Sequence, residues 1–315
     1  MIRATKPVTP NMEMTRISMA GATKNRLPTP VHNAGGRVRH FRKRWRYWYH
    51  PHRLVGRFPA MRRAYSWLAA HAAMPRRPFG TNERNTLFPA LAPHVSSLEL
   101  RRHGLYPGLR LPAEMVAAII GFAEQAPCAR PGFDESFRYA DIRHGRLADG
   151  QPVPIADMRR PAACADVATI RNDPGLRQAA SSFLGYQPPA PRVRLFWSFA
   201  AALPDDTRRA LGQTIDFHYD VPWFNGVYAY FYLTPSDRHS GAHVMYPGSA
   251  RDKPLRFVLA SSFRDESALA AYYGADRQVV VEGPAGFGFL EDPFGYHKAL
   301  PPVRHDRLVL QLRYG

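Results

Sequence analysis

The sequence predicts a mainly β protein, an all-β barrel or double-sheet roll, with flanking helices and a basic N-terminal extension. Three observations carry that expectation. From about residue 190 onward, apolar residues recur with period two in short runs separated by turn residues. Thirty prolines favour loops and short strands over long helices. The charge of +18 is also unevenly placed: residues 1–80 hold seventeen Lys and Arg against the single acid Glu13, and the other residues are close to neutral. That shift divides the chain into residues 1–80, an extension, and residues 81–315, a folded domain.

Residues 1–35 are polar and lack sustained periodicity, which reads as disorder. Phe41, Trp45, Trp48 and Tyr49 then follow helical spacing among arginines, and Pro51 ends the segment. Pro59 suits the first turn of a second helix, with Met61, Tyr65, Leu68 and Ala72 on one face. Residues 37–77 carry no acid, so the segment either docks on its own domain or meets an anionic membrane surface or another polyanion.

Residues 87–107 read as a loop-rich approach. Leu111–Glu124 reads as a helix with Pro112 at its start and an apolar stripe through Val116 and Ile119. Residues 136–158 suggest a hairpin or irregular cover. Asp173 to Gly185 reads as a second helix, capped by Asp173 and stopped by Gly185. Strands are expected at 193–197, 217–220, 227–233, 243–246, 278–281, 286–290 and 308–314.

No run of eighteen apolar residues predicts a membrane span, and no apolar signal core opens the chain. The two cysteines, Cys128 and Cys164, form no CxxC pair, which points to a reducing cytoplasm. A phosphate-binding glycine loop and a GxSxG elbow are both lacking.

The chemistry concentrates in Asp216-Phe-His218-Tyr-Asp220. Residues two apart on a strand share a face, so His218 and Asp220 reach one metal together. His297 stands in Asp292-Pro-Phe-Gly-Tyr-His297. Two imidazoles and one carboxylate are the ligand set that leaves open positions on non-heme Fe(II).

With His218-Tyr-Asp220, Gly241-Ala-His-Val-Met-Tyr-Pro-Gly-Ser249, Asp292 to His297 and Arg307-Leu-Val-Leu-Gln-Leu-Arg-Tyr314, the chain resembles the phytanoyl-CoA dioxygenase-like family of Fe(II)/2-oxoglutarate oxygenases. The resemblance covers about residues 95–315. It implies a double-stranded β-helix of the jelly-roll, cupin-like kind, and iron on His218, Asp220 and His297. It also implies that Arg307 pairs with the far carboxylate of 2-oxoglutarate, with Arg304 and Arg313 as rivals. Dioxygen and a small-molecule substrate complete the reaction, a hydroxylation that converts 2-oxoglutarate to succinate.

One departure stands out. Many such enzymes carry a Ser or Thr two residues after the arginine, and here that position is Val309. Tyr228 or Tyr230 would then supply the hydroxyl. His239 and His305 read as surface residues, and His243 as a side chain that shapes the pocket. Trp223 and Phe224 are candidates for the substrate wall. Two other readings keep the same residues: a non-catalytic scaffold on this fold, and a Zn(II) hydrolase, which has no use for Arg307.

Overall fold

The computed structural model describes residues 51–72 and 85–315. The basic aromatic stripe at 41–49 and the N-terminal stretch before it lie outside the described residues. A compact unit spans Tyr47–Gly315. In chain order the helices are α1 (Pro51–Val55), α2 (Pro59–Ala72), α3 (Pro93–His103), α4 (Ala113–Gln125), α5 (Ala165–Arg171), α6 (Pro174–Leu184), α7 (Asp205–Ala210), α8 (Leu255–Leu259) and α9 (Glu266–Tyr273). The strands are β1 (Leu105–Arg110), β2 (Cys128–Ala129), β3 (Ile155–Met158), β4 (Arg192–Ser198), β5 (Val227–Tyr232), β6 (His243–Met245), β7 (Val279–Val281), β8 (Phe287–Glu291), β9 (His297–Ala299) and β10 (Arg307–Tyr314).

Seven strands form one antiparallel sheet in the order β1-β8-β5-β10-β4-β3-β2, and three form another in the order β7-β6-β9. The bridge between His218 and His297 adds a further short rung to the smaller sheet. From β5 onward the chain crosses between the sheets, with β6 and β7 in the smaller, β8 in the larger, β9 in the smaller and β10 in the larger, which is the winding of a double-stranded β-helix. No described helix is long and apolar enough to cross a membrane.

Alternation in the large sheet sorts side chains onto two faces. Val227, Ala229 and Phe231 of β5, with Leu308, Leu310 and Leu312 of β10, join a core with Leu100 of α3, Ile119 of α4 and Leu176 of α6. The intervening residues point into the roll, and Tyr228, Tyr230, Tyr232, Phe289 and Val309 form a second cluster there. On β4, Leu195 and Trp197 enter the first cluster and Phe196 the second, so both faces are buried. The polar residues that share the inward face, Arg194, Ser198, Arg307, Gln311 and Arg313, line a cavity inside the roll.

Helix α6 lies where its signals put it: Asp173 accepts from Leu176 N at 2.9 Å, and Gly185 closes it at φ 78°. Residues 93–103 and 105–110 depart from the expected loop. The first forms α3. The second forms β1, which tolerates Pro107 because it is the edge strand, irregular between Tyr106 and Leu109. Residues 217–220 form only the bridge at His218 rather than a named strand.

Helices α1 and α2, which precede the boundary read at 80/81 from charge, dock on the roll. Arg57 donates to Val258 O and Ala260 O, both at 3.1 Å. Arg62 stands 3.5 Å from Asp292 and lies over the Phe294 ring. The Tyr65 ring stacks on Phe224, and its hydroxyl accepts from Trp223 Nε1 at 3.0 Å. The docking face of α2 is therefore Arg62, Tyr65, Ser66 and Ala69. Of the stripe expected from spacing, Met61 and Leu68 face solvent. Arginines make the contacts because the surface beneath offers carbonyls, a carboxylate and aromatic faces.

Candidate metal centre

His218 and His297 lie opposite each other in a hydrogen-bonded antiparallel bridge, with N to O distances of 2.9 and 2.8 Å. Directly opposed residues place their side chains on one face, and the ring centroids are 4.5 Å apart. Asp220, two residues on, returns to that face, and its backbone is held by Asp220 N donating to Pro293 O at 2.8 Å. His218 Nε2 is 3.8 Å from Asp220 Oδ1. One ligand atom from each of His218, Asp220 and His297 lies within 4.8 Å of the others.

The tautomers follow from the backbone. His218 Nδ1 is 3.0 Å from Asp216 O and His297 Nδ1 is 3.0 Å from Gly295 O. A carbonyl only accepts, so each Nδ1 donates to it, and Nε2 of each ring is the nitrogen turned toward a metal. Burial acts to raise the Asp220 pKa. The His297 and His218 imidazoles, Arg313 and a hydrogen bond from Tyr228 outweigh it and hold the carboxyl below its usual value. Two imidazoles and a carboxylate converging on one point fit a divalent transition metal.

Behind the trio stands a carboxylate that the sequence reading missed. Glu291 is fully buried, and its Oε1 is 3.0 Å from His243 Nε2 and 3.1 Å from His297 Nδ1. Burial raises its pKa to about 7, while it lowers that of His243 to about 3 and that of His297 to about 4. His243, Glu291 and His297 also form a cluster of metal-ligating types. These contacts have hydrogen-bond lengths, and the atom of His297 involved is the protonated Nδ1, so the cluster is a support behind the first trio. The signal for Glu291 was its register with the inward Phe287 and Phe289 on β8.

Arg307 occupies the cavity inside the roll. It is 4% exposed, and its Nη1 donates to Gly241 O. Its Nη2 is 3.3 Å from Ser198 Oγ, and its Nε is buried without a partner. No carboxylate stands within 4.0 Å of it among the described residues. Burial holds its pKa below the ordinary arginine value. A desolvated cation whose partners are only neutral calls for an anion in the cavity. Gly241 makes room for it: at φ 87°, an added Cβ would lie 3.2 Å from Arg307 Nε.

The rival arginines stand elsewhere. Arg304 is exposed and 3.8 Å from Asp237. Arg313 lines the mouth as well as the cavity, donating from Nε to Gln311 Oε1 at 2.8 Å. Tyr230 lines the same cavity, but its hydroxyl accepts from Gln311 Nε2. The hydroxyl beside Arg307 belongs to Ser198, directly across the β10–β4 ladder. Tyr228 bonds Asp220. His239 and His305 are exposed. Trp223 lines the outer funnel, and Phe224 packs under α2.

No family model and no curated protein matches the chain. Solved structures similar to it include AviO1 from Streptomyces viridochromogenes Tue57, at 16% identity over 71% of this chain and 95% of that one, with a TM-score of 0.46. The non-heme alpha ketoglutarate dependent epimerase SnoN from nogalamycin biosynthesis is 15% identical over 72% and 83% respectively, with a TM-score of 0.48. EctD from S. alaskensis, in a structure with 2-oxoglutarate and 5-hydroxyectoine, is 18% identical over 71% and 77%, also at 0.48.

Proposed function

We propose that the protein is an Fe(II)- and 2-oxoglutarate-dependent dioxygenase that hydroxylates a C–H bond of a small molecule. The observation that carries this reading is the pairing of two sites in one roll. His218, Asp220 and His297 converge at one end of a cavity, and Arg307 is buried in that cavity without an acid partner.

In this reading the three donors hold iron on one side and leave the other side open. Bound iron would supply the activation of dioxygen, coupled to the conversion of 2-oxoglutarate to succinate. The chain's own residues do the rest. Arg307 receives the far carboxylate with its guanidinium fork, and Ser198 adds a hydroxyl beside it, the role the sequence reading offered to Tyr228 or Tyr230. Glu291 and the Gly295 carbonyl hold the His297 ring in the tautomer that faces the metal. Aromatic walls from Tyr230 and Phe289 keep bulk water from the cavity.

A scaffold protein has no reason to keep a buried unpaired arginine, and a Zn(II) hydrolase does not need one. The buried, disulfide-free cysteines support a reducing compartment. An anionic membrane or polyanion, the partner read for residues 37–77, now depends mainly on residues 37–50, because Arg57 and Arg62 are engaged by the domain.

The test is succinate formation from 2-oxoglutarate by the purified chain with and without Fe(II) and dioxygen. Turnover that needs both, and that disappears in His218→Ala, supports the reading. Firm metal binding with no 2-oxoglutarate binding would overturn it.

A further inference from the structure

We infer that the substrate carries an anionic oxygen group, a carboxylate or a phosphate, and that Arg313 and Arg192 at the mouth of the site receive it. This rests on the oxygenase reading above and adds the substrate class to it.

A funnel of ≈ 770 Å³ leads from the surface to His218 and Asp220. That volume suits a small organic molecule. Four arginines line it, Arg53, Arg57, Arg192 and Arg313, and the one acidic side chain in its wall is Asp220. Asp220 belongs to the metal centre, so it does not neutralise the wall.

Several arginines elsewhere have an acid partner, while others, such as Arg101, Arg171 and Arg208, bond only to carbonyls or an amide. Arg62 faces Asp292, Arg194 faces Asp157, Arg209 faces Asp206 and Asp216, and Arg304 faces Asp237. Among the described residues, no carboxylate lies within 4.0 Å of Arg57, Arg192 or Arg313. A cleft lined by one sign of charge concentrates the opposite sign, and low-dielectric walls strengthen the effect.

Arg57 and Arg313 are also held in place. Arg57 Nη1 is clamped between the carbonyls of Val258 and Ala260. Arg313 is fixed by its Nε bond to Gln311 and by the Tyr228 ring, 5.2 Å from its guanidinium carbon. A guanidinium fixed at one edge offers the other edge as a preset fork for two oxygens. Arg313 lines the inner cavity as well, so its charge stands where funnel and metal centre meet. Trp223, Phe263 and Val221 supply apolar wall beside it. The matching ligand has an apolar body and one oxyanion.

The experiment is calorimetric titration of the full chain with phenyl phosphate, phenylacetate, benzyl alcohol and phenylacetamide. Each probe is run on the metal-free protein and on protein loaded with Mn(II) and 2-oxoglutarate, which fills the Arg307 cavity first. At least one of the two anions should bind, the neutral analogues should not, and comparison of the anions assigns phosphate or carboxylate. R313Q and R192Q should each weaken anion binding by about tenfold, while R304Q, the same charge change away from the mouth, should not. Because Arg192 is exposed, R192Q remains a test even if R313Q fails to fold. Equal binding of neutral and anionic probes, equal loss in R304Q, or no heat from either anion at millimolar concentration would overturn the inference. Failure of Mn(II) and 2-oxoglutarate to bind, with anion binding retained on the metal-free chain, would instead count against the oxygenase reading alone.

Discussion

Glu291 Oε1 lies 3.1 Å from His297 Nδ1, so a buried carboxylate backs one of the three candidate metal ligands. Such a partner fixes the ring's orientation and makes its other nitrogen more basic. Glu291→Gln should weaken Mn(II) or Fe(II) affinity by about 10- to 100-fold while the circular dichroism spectrum is kept. Unchanged affinity would mean that the Gly295 carbonyl alone orients the ring.

Arg307 and Ser198 face each other across the β10–β4 ladder. Arg307→Ala should weaken 2-oxoglutarate binding by about 2–5 kcal/mol, the loss typical of a truncated buried charge partner. Ser198→Ala removes one neutral hydrogen bond and should cost about 1 kcal/mol. Arg304→Ala should change nothing. Titration of 2-oxoglutarate into the Mn(II) protein reads all three, and a loss in Arg304→Ala alone would misplace the cosubstrate.

Arg62 joins α2 to the turn that leads into His297, through Asp292 at 3.5 Å and the Phe294 ring. Both charges of the pair are largely shielded, so removing one leaves the other uncompensated. Arg62→Ala should lower stability by about 3 kcal/mol in urea unfolding. A loss below about 0.5 kcal/mol would show that α2 docks by its aromatic contacts alone.

Cys128 is buried, and burial together with the nearby Asp141 pushes its thiol up to about 12. The folded state therefore holds the proton more tightly than the unfolded chain, for which the reference value is 9.0. The sign is that this group's contribution to stability is complete below pH 9 and is lost as the pH rises from there toward 12. The native protein should resist iodoacetamide at pH 8 at Cys128 and react there once unfolded, as mass spectrometry would show. Rapid native labelling of this residue would mean that β2 opens readily.

The sequence by itself determined the strand-rich second half and helix α6 with its cap and stop, and it put His218 and Asp220 forward as a donor pair. Those are properties of neighbours along the chain: period two puts His218 and Asp220 on one face whatever the rest of the fold does. It could suggest Arg307 but not choose it over Arg304 and Arg313, since all three sit on one segment and differ only in what surrounds them. Register is what gives each of them its surroundings. Pairing β10 with β4 sets Arg307 opposite Ser198, and a slip of one residue would turn Arg307 out of the roll. The same holds for Glu291, which reaches His297 and His243 only because β8 lies beside β5 in the larger sheet, facing the smaller one. The docking of α1 and α2 was hidden for a related reason. Charge counting left docking on the domain and an external polyanion both open, and only contacts some two hundred residues away, such as Arg57 with Val258, show an arginine of this segment bound to the domain.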